Sequence, residues 1–364
     1  MDNLIDSSQS LPKAPSRRDS NMELLRIVAM LLVMIVHADI RALKVPLVAD
    51  FYDDTFRTII RLVIGSMSII CVNTFVLLSG WFGIHPRFNK MLEFIFQVCF
   101  FSILGICVAI IMEPEEVLSL RGVASFFLFG DGDYWFVKCY LLMYIFAPVM
   151  NAFVERSTER QFRIFLIFFY TFQSVYGFIG GAEWFKFGYS GLSFMGLYLL
   201  ARYIRLYPNR FTSFKEKWDI LIYFALAALM TLLGLAVLAT GLNPKIIYRI
   251  YAYTSPIVIV ASIYFLLFFS KVKLSYNKVI NWFASSCFAI YLVHSNPWLS
   301  SYYNDAFQYF FSSFRGVAFF LHAFLFIALV FVGSILIDKL RVLLWKMIVL
   351  FIRRVNNLDL ITYG

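Results

Sequence analysis

The sequence predicts an all-α polytopic membrane protein with about ten transmembrane helices and both termini in the cytoplasm. Of its 364 residues, 61% are hydrophobic and only 15% are charged, and the mean hydropathy is +0.77. Soluble domains average about 45–50% apolar and about 25% charged residues. Apolar runs also recur at the length of about 20 residues that a helix needs to cross a bilayer. These properties exclude a soluble enzyme, a disordered protein, a disulfide-rich secreted domain and a fibrous protein.

Three regions follow from the distribution of the apolar runs. Residues 1–20 are polar and predict a flexible cytoplasmic tail. Residues 21–338 form the predicted transmembrane domain, and residues 339–364 predict a basic C-terminal segment that lies in the membrane interface. The predicted spans are 23–41, 58–83, 91–112, 134–154, 162–180, 189–207, 219–241, 249–270, 279–296 and 316–337.

The positive charges set the predicted orientation. With the N-terminus inside, roughly two thirds of the 32 Lys and Arg residues fall in cytoplasmic segments, as the positive-inside rule requires. The acidic residues Glu113, Glu115 and Glu116 then lie outside. The net charge of +10 is therefore explained by cytoplasmic loops in contact with the lipid bilayer, and no nucleic-acid partner is expected.

Arg26 and His37 are polar residues within the first predicted span. They are eleven residues apart, and at about 100° per residue they lie within about 20° of one helix face, separated by about 16 Å along the axis. Glu23, one turn before Arg26, is placed to pair with it. Charged groups inside a span are costly and are functional candidates. The alternative is that Arg26 reaches the inner headgroups while His37 lies at the outer interface.

Further candidates lie at the cytoplasmic end of the second span. Ser79 and Gly80 form a Ser-Gly pair that is typical of close helix packing, and the local sequence is not the GxSxG motif of a nucleophilic serine. Arg87 and Lys90 follow in a short inner loop. They are explained either as a positive-inside anchor or as a site for an anionic cofactor.

Polar and aromatic residues also mark the outer ends of two later spans. Asp131 and Asp133 stand before the fourth span, where carboxylates suit a helix N-terminus, and Trp135 suits the membrane interface. Lys138, one turn further in, could pair with either carboxylate or face a cavity. His294 ends the ninth span, and taken singly it is most simply an interface residue.

Taken in order, these segments resemble the acyltransferase 3 family, integral membrane acyltransferases that modify cell-surface glycans. The resemblance extends from about residue 20 to 337, and the loop motif departs from the family at Lys90, where the family has Arg. Lys keeps the charge but loses the bidentate geometry of a guanidinium. The matching motifs are Asn21, Glu23, Leu25, Arg26 and His37; Phe75 to Gly80; Arg87 to Lys90; Tyr134 to Phe136 with Tyr144 and Pro148 to Asn151; and Ile290 to His294.

The resemblance implies an acyl-CoA donor, most simply acetyl-CoA, bound on the cytoplasmic side without a metal. Arg26, Arg87 and Lys90 would hold the phosphates or the thioester arm of the donor, with Arg26 also acting in catalysis, and Ser79 would contribute to donor binding. His37 would be the general base for the acceptor hydroxyl, because imidazole titrates near neutrality. A route through an acyl-His37 intermediate is the alternative.

The resemblance also implies an acceptor on the outer side of a bacterial cytoplasmic membrane. The acceptor would be a surface polysaccharide or a lipid-linked glycan, and the predicted acceptor-side residues are Asp131, Asp133, Trp135, Lys138 and His294. Trp135 would stack on a sugar ring. Because the chain ends at Gly364 without an appended domain, we expect it to complete the transfer itself or to pass the acyl group to a separate extracytoplasmic acyltransferase.

A transporter or flippase of a lipid-linked sugar or small molecule fits the composition equally well. The sequence offers little support for it, because no Gly- or Pro-broken spans occur at matching positions in two halves. A dependence on acyl-CoA would distinguish the transferase from the transporter.

Overall fold

The computed structural model describes residues 19–112 and 134–362, and its regular structure in these residues is entirely helical. Short π-helical segments lie at His37–Ala42 and Gln173–Ile179. The α-helices are α1 (Ser20–Val36), α2 (Val48–Asp53), α3 (Thr55–Ser68), α4 (Cys71–Phe82), α5 (Phe88–Met112), α6 (Trp135–Arg156), α7 (Glu159–Phe172), α8 (Gly191–Leu206), α9 (Glu216–Ala239), α10 (Lys245–Ile250), α11 (Pro256–Lys271), α12 (Lys278–Ala284), α13 (Cys287–His294), α14 (Ser300–Ser313) and α15 (Gly316–Thr362).

The expected all-helical membrane architecture is confirmed, whereas the number of spans stays a prediction. Within the described residues, six helical segments are long and apolar enough to cross a membrane, and α11 is a shorter apolar helix. The six segments are Thr55–Phe82, Phe88–Met112, Trp135–Arg156, Glu159–Ile179, Glu216–Ala239 and Gly316–Ile352. The cytoplasmic placement of both termini also stays a prediction.

Several predicted spans differ in detail from the helices. The span at 249–270 begins as a long helix only at Pro256, and the span at 279–296 is divided into α12 and α13 at Ser285 and Ser286. No Gly or Pro marks this break; instead the Ser285 hydroxyl donates to the carbonyl of Trp282, 2.8 Å away, at the end of α12. The last predicted span and the predicted interfacial segment, as far as Thr362, form the single helix α15.

Helix α1 lies at the centre of the bundle. It packs against α3, α4, α11, α12 and α13, and its residues Leu25, Ala29 and Met34 are fully buried. α4 lies between α1, α8 and α11. A Cβ atom at Gly80 would stand 2.4 Å from the carbonyl oxygen of Tyr198, so the interface between α4 and α8 requires glycine there. The predicted close packing at the Ser-Gly pair is therefore confirmed, and Gly80 provides it.

Candidate active site

The end of α1 and the end of α13 bring two histidines together. Nδ1 of His37 lies 3.0 Å from Nε2 of His294 and 3.2 Å from the hydroxyl of Ser295. The ring centroids are 5.0 Å apart, and His294 is only 2% exposed. Each histidine was predicted at the outer end of its span, but their contact across 257 positions of sequence was not predicted.

The hydrogen bonds of the pair determine which nitrogen of His37 is available. Nδ1 of His294 faces the carbonyl oxygen of Ile290, which can only accept, so this nitrogen carries the hydrogen. In the neutral ring, Nε2 of His294 is then an acceptor, and it accepts from Nδ1 of His37. Nε2 of His37 therefore keeps its lone pair, which is the state that a base or a nucleophile needs.

The turn after α13 is fixed by Asn296, which is fully buried. Its amide donates to the carbonyl of Phe101 in α5 and to the Tyr134 hydroxyl, both at 2.9 Å. Tyr134 in turn donates to the carbonyl of Leu292. α5 has glycine at this point, because a Cβ at Gly105 would stand 2.2 Å from the Asn296 side-chain oxygen. These contacts fix the segment that carries His294 and Ser295.

A cavity of about 550 Å³ opens beside His37. One wall is aromatic: the ring of Trp135 lies 4.4 Å from that of Tyr189 and is nearly parallel to that of Tyr253 at 6.2 Å. Tyr253 is held by Asn73, whose amide donates to its carbonyl at 3.0 Å. The cavity thus combines an imidazole with flat apolar surfaces.

Two cationic residues, Arg41 and Lys44, also line the cavity. Arg41 lies on the π-helical segment that begins at His37. Lys44 has a φ of +62°, a left-handed conformation that is uncommon for a non-glycine residue. Its carbonyl accepts a hydrogen bond from Arg61, which also forms a 2.7 Å ion pair with Asp39. This buried pair fixes the turn that carries Lys44.

Arg26 lies at the other end of α1. It forms a 2.6 Å ion pair with Glu23, which confirms the predicted pairing. Ser79 donates to the carbonyl of Phe75 within its own helix, at 3.1 Å. Arg26 is separated from His37 by about 16 Å of helix, and the side chains of Met30 and Val33 between them are buried. The structure therefore separates the two predicted catalytic residues.

The loop after α4 is held by residues of the Tyr144 to Asn151 motif. The Tyr144 hydroxyl accepts from the backbone N–H of Arg87 at 2.9 Å, and the Asn151 amide donates to the carbonyl of Ile84 at 2.8 Å. The side chain of Arg87 is exposed, and Lys90 forms an exposed 2.8 Å ion pair with Glu93. The motif therefore fixes the loop backbone and leaves the Arg87 side chain at the surface.

The predicted acceptor-side residues have different positions. His294 contacts His37, and Trp135 lines the same cavity as His37, whereas the side chain of Lys138 is exposed and does not line the cavity. Asp131 and Asp133, and with them the proposed pairing to Lys138, lie outside the described residues.

The sequence interpretation did not identify the cationic residues Arg41 and Lys44 or the aromatic residues Tyr189 and Tyr253 of the cavity. Arg41 and Lys44 were counted only as outer charges, although Arg41 lies four residues after His37, a spacing that brings side chains to one face of a helix. Tyr189 and Tyr253 lie in connections between helices, and no local pattern distinguishes them from other aromatic residues near a membrane interface.

A family model described as an acyltransferase domain matches residues 19–339, nearly the whole chain. The chain belongs to the acyltransferase 3 family. The matched acyltransferase 3 region includes the paired histidines, the cavity and the Arg26 end of α1. No curated protein matches the chain, and no solved structure does. Membership of the acyltransferase 3 family indicates membrane acyl transfer.

Proposed function

We propose that the protein transfers an acyl group, most simply acetyl, from cytoplasmic acyl-CoA to a hydroxyl of a surface glycan or its lipid-linked precursor. The membrane would be the bacterial cytoplasmic membrane, with His37 toward its outer face. The observation that carries the proposal is the hydrogen bonding of His37, which leaves the Nε2 lone pair without a partner in the described part of the chain, on a residue that lines an aromatic cavity of about 550 Å³. A base beside flat apolar surfaces suits a hydroxyl on a sugar ring.

In this mechanism Nε2 of His37 takes the proton of the acceptor hydroxyl while the oxygen attacks the thioester carbonyl. The new C–O bond forms, the C–S bond breaks, and the thiolate of CoA leaves and is protonated. His37 is transiently a cation, and its Nδ1–H donates to Nε2 of His294, which stabilises that charge. In the alternative route through acyl-His37, the same Nε2 atom attacks the thioester first.

The donor phosphates would bind at the opposite end of α1. Arg87 and Lys90 provide exposed positive charge there, and Arg26 lies further in. An acyl-CoA is anionic at one end and reactive at the other, so it suits two sites about 16 Å apart. On a route along this face of α1, the thioester arm would have to move the Met30 and Val33 side chains, which are buried.

Binding and turnover of radiolabelled acetyl-CoA test the proposal on the purified full-length protein. We expect Arg26→Ala to weaken acetyl-CoA binding. His37→Ala should bind acetyl-CoA but release CoA about 10²- to 10⁴-fold more slowly, the usual contribution of a general base. The control is Arg163→Ala, which removes an exposed arginine that pairs with Glu159, and this variant should behave as wild type.

Two results would overturn the proposal. One is a wild-type protein that binds neither acetyl-CoA nor longer acyl-CoAs, which would favour the transporter or flippase. The other is a His37→Ala variant that transfers acyl groups at the wild-type rate, which would remove His37 from the chemistry.

A further inference from the structure

The cavity beside His37 is positively charged. Of the described residues that line it, Arg41 and Lys44 are cationic, and none is an aspartate or a glutamate. Neither Arg41 nor Lys44 forms an ion pair with any part of the chain that the structure describes. A binding cavity with two such cations favours an anionic ligand.

The carboxylate nearest in sequence to these cations is already neutralised. Asp39 lies on the same π-helical segment as Arg41, but its carboxylate is paired at 2.7 Å with Arg61, and both side chains are largely buried. Removing one partner of such a buried pair is strongly destabilising, so Asp39 is not available to Arg41 or Lys44. Because Arg61 also donates to the carbonyl of Lys44, the pair holds the Lys44 turn in its left-handed conformation.

The aromatic wall suits either an organic cation or a sugar ring, and the two cationic residues of the cavity distinguish between these ligands. Trp135, Tyr189 and Tyr253 together could bind an organic cation through their ring faces. Arg41 and Lys44 in the same cavity would repel such a cation. The apolar face of a sugar ring, whose C–H groups carry partial positive charge, can stack on an aromatic ring without this repulsion.

We propose that the acceptor is an acidic saccharide, whose anionic group binds Arg41 and Lys44 while one sugar ring stacks on Trp135. This inference rests on the proposed function, because it assigns the acceptor of the same site. The hydroxyl to be acylated then lies at Nε2 of His37, one helical turn before Arg41. The anionic group is either the carboxylate of a uronic acid or a phosphate attached to the sugar.

Calorimetric titration of the detergent-solubilised full-length protein tests this inference without a donor. The probes are methyl glucuronoside, glucose 1-phosphate and the neutral methyl glucoside. We expect at least one acidic probe to bind about tenfold more tightly than the neutral one, the effect of a charge-assisted contact. The preference should decrease at high ionic strength, because salt screens accessible charges. The acidic probe that binds more tightly shows whether the anionic group of the acceptor is a carboxylate or a phosphate.

Matched variants separate a charge contact from a general effect on the fold. Arg41→Gln and Lys44→Gln should each lower the preference for the acidic probe severalfold, and Arg41→Lys should retain much of it. The control is Lys245→Gln, which removes an exposed lysine from α10 outside the cavity and should keep the full preference.

Equal binding of acidic and neutral probes would overturn the inference, as would binding of none of them, or a preference that survives both glutamine substitutions. Acetyl-CoA binding, measured on the same preparation, reports on the proposed function separately. Retained acetyl-CoA binding without an acidic preference refutes the acidic acceptor alone. An acidic preference without acetyl-CoA binding refutes the acyl-CoA donor alone.

Discussion

Substituting His294 by leucine removes the acceptor that faces Nδ1 of His37 and keeps a side chain of comparable bulk. When Nε2 of His37 takes the acceptor proton, the bond from Nδ1–H to His294 becomes charge-assisted, and such bonds contribute about 1.5–3 kcal/mol. Its loss should lower kcat by about 10- to 100-fold. The Ser295 hydroxyl, 3.2 Å from Nδ1 of His37, remains as a second acceptor. We therefore expect the decrease in kcat of His294→Leu to be closer to about 10-fold than to about 100-fold. Adding Ser295→Ala should lower kcat further.

The assay is the release of CoA from radiolabelled acetyl-CoA, with kcat and KM measured separately and the thermal midpoint recorded for each variant. His294→Gln is the matched control, since its amide oxygen can accept from Nδ1 of His37 and should restore part of kcat. KM for acetyl-CoA should not change, because the proposed site for the donor phosphates lies at the other end of α1. A wild-type kcat in His294→Leu would refute the reasoning. So would equal losses in the leucine and glutamine variants, which would indicate a packing role.

Three further predictions concern packing, the aromatic wall and the loop after α4. Gly80→Ala places a Cβ against the Tyr198 carbonyl and should destabilise the protein by about 1–3 kcal/mol, seen as a lower thermal midpoint. Gly333→Ala, where no heavy atom lies within 4 Å, should stabilise it by up to about 1 kcal/mol, and the opposite ranking would refute the packing argument. Trp135→Ala should raise KM for the acceptor about tenfold and leave KM for acetyl-CoA unchanged; equal changes in both would contradict an acceptor role. Asn151→Leu removes the hydrogen bond to the Ile84 carbonyl that holds the loop after α4, so it should weaken acetyl-CoA binding, measured by titration. An unchanged affinity would show that this loop does not contribute to the donor site.

The local features of the chain were accessible from the sequence. The pairing of Glu23 with Arg26 depends on a three-residue spacing within one helix, and the structure confirms it. The close packing at Gly80 depends on the absence of a side chain, and the structure confirms it, because a Cβ added there would stand only 2.4 Å from the Tyr198 carbonyl oxygen. The pairing follows because helix geometry brings side chains three residues apart together, and the packing follows because a small residue lets a second helix approach closely.

The helix interruptions were harder to predict. The break at Ser285 and Ser286 has neither Gly nor Pro, and the π-helical segment at His37–Ala42 follows an ordinary apolar run. Both depend on hydrogen bonds that compete with the regular helical pattern, and periodicity does not reveal such competition.

Composition and hydropathy by themselves determined that the chain is a helical membrane protein, and its ordered motifs identified the acyltransferase family before any contact was known. Only the tertiary structure decided that His37 meets His294, and that Trp135 lines the same cavity as His37, Arg41 and Lys44. The physical reason is that the hydrophobicity and the helical periodicity of a segment depend on residues that are close together in the sequence, so they can be recognised without the structure. The chemistry of the site depends on side chains from distant helices, whose separation is set by how those helices pack.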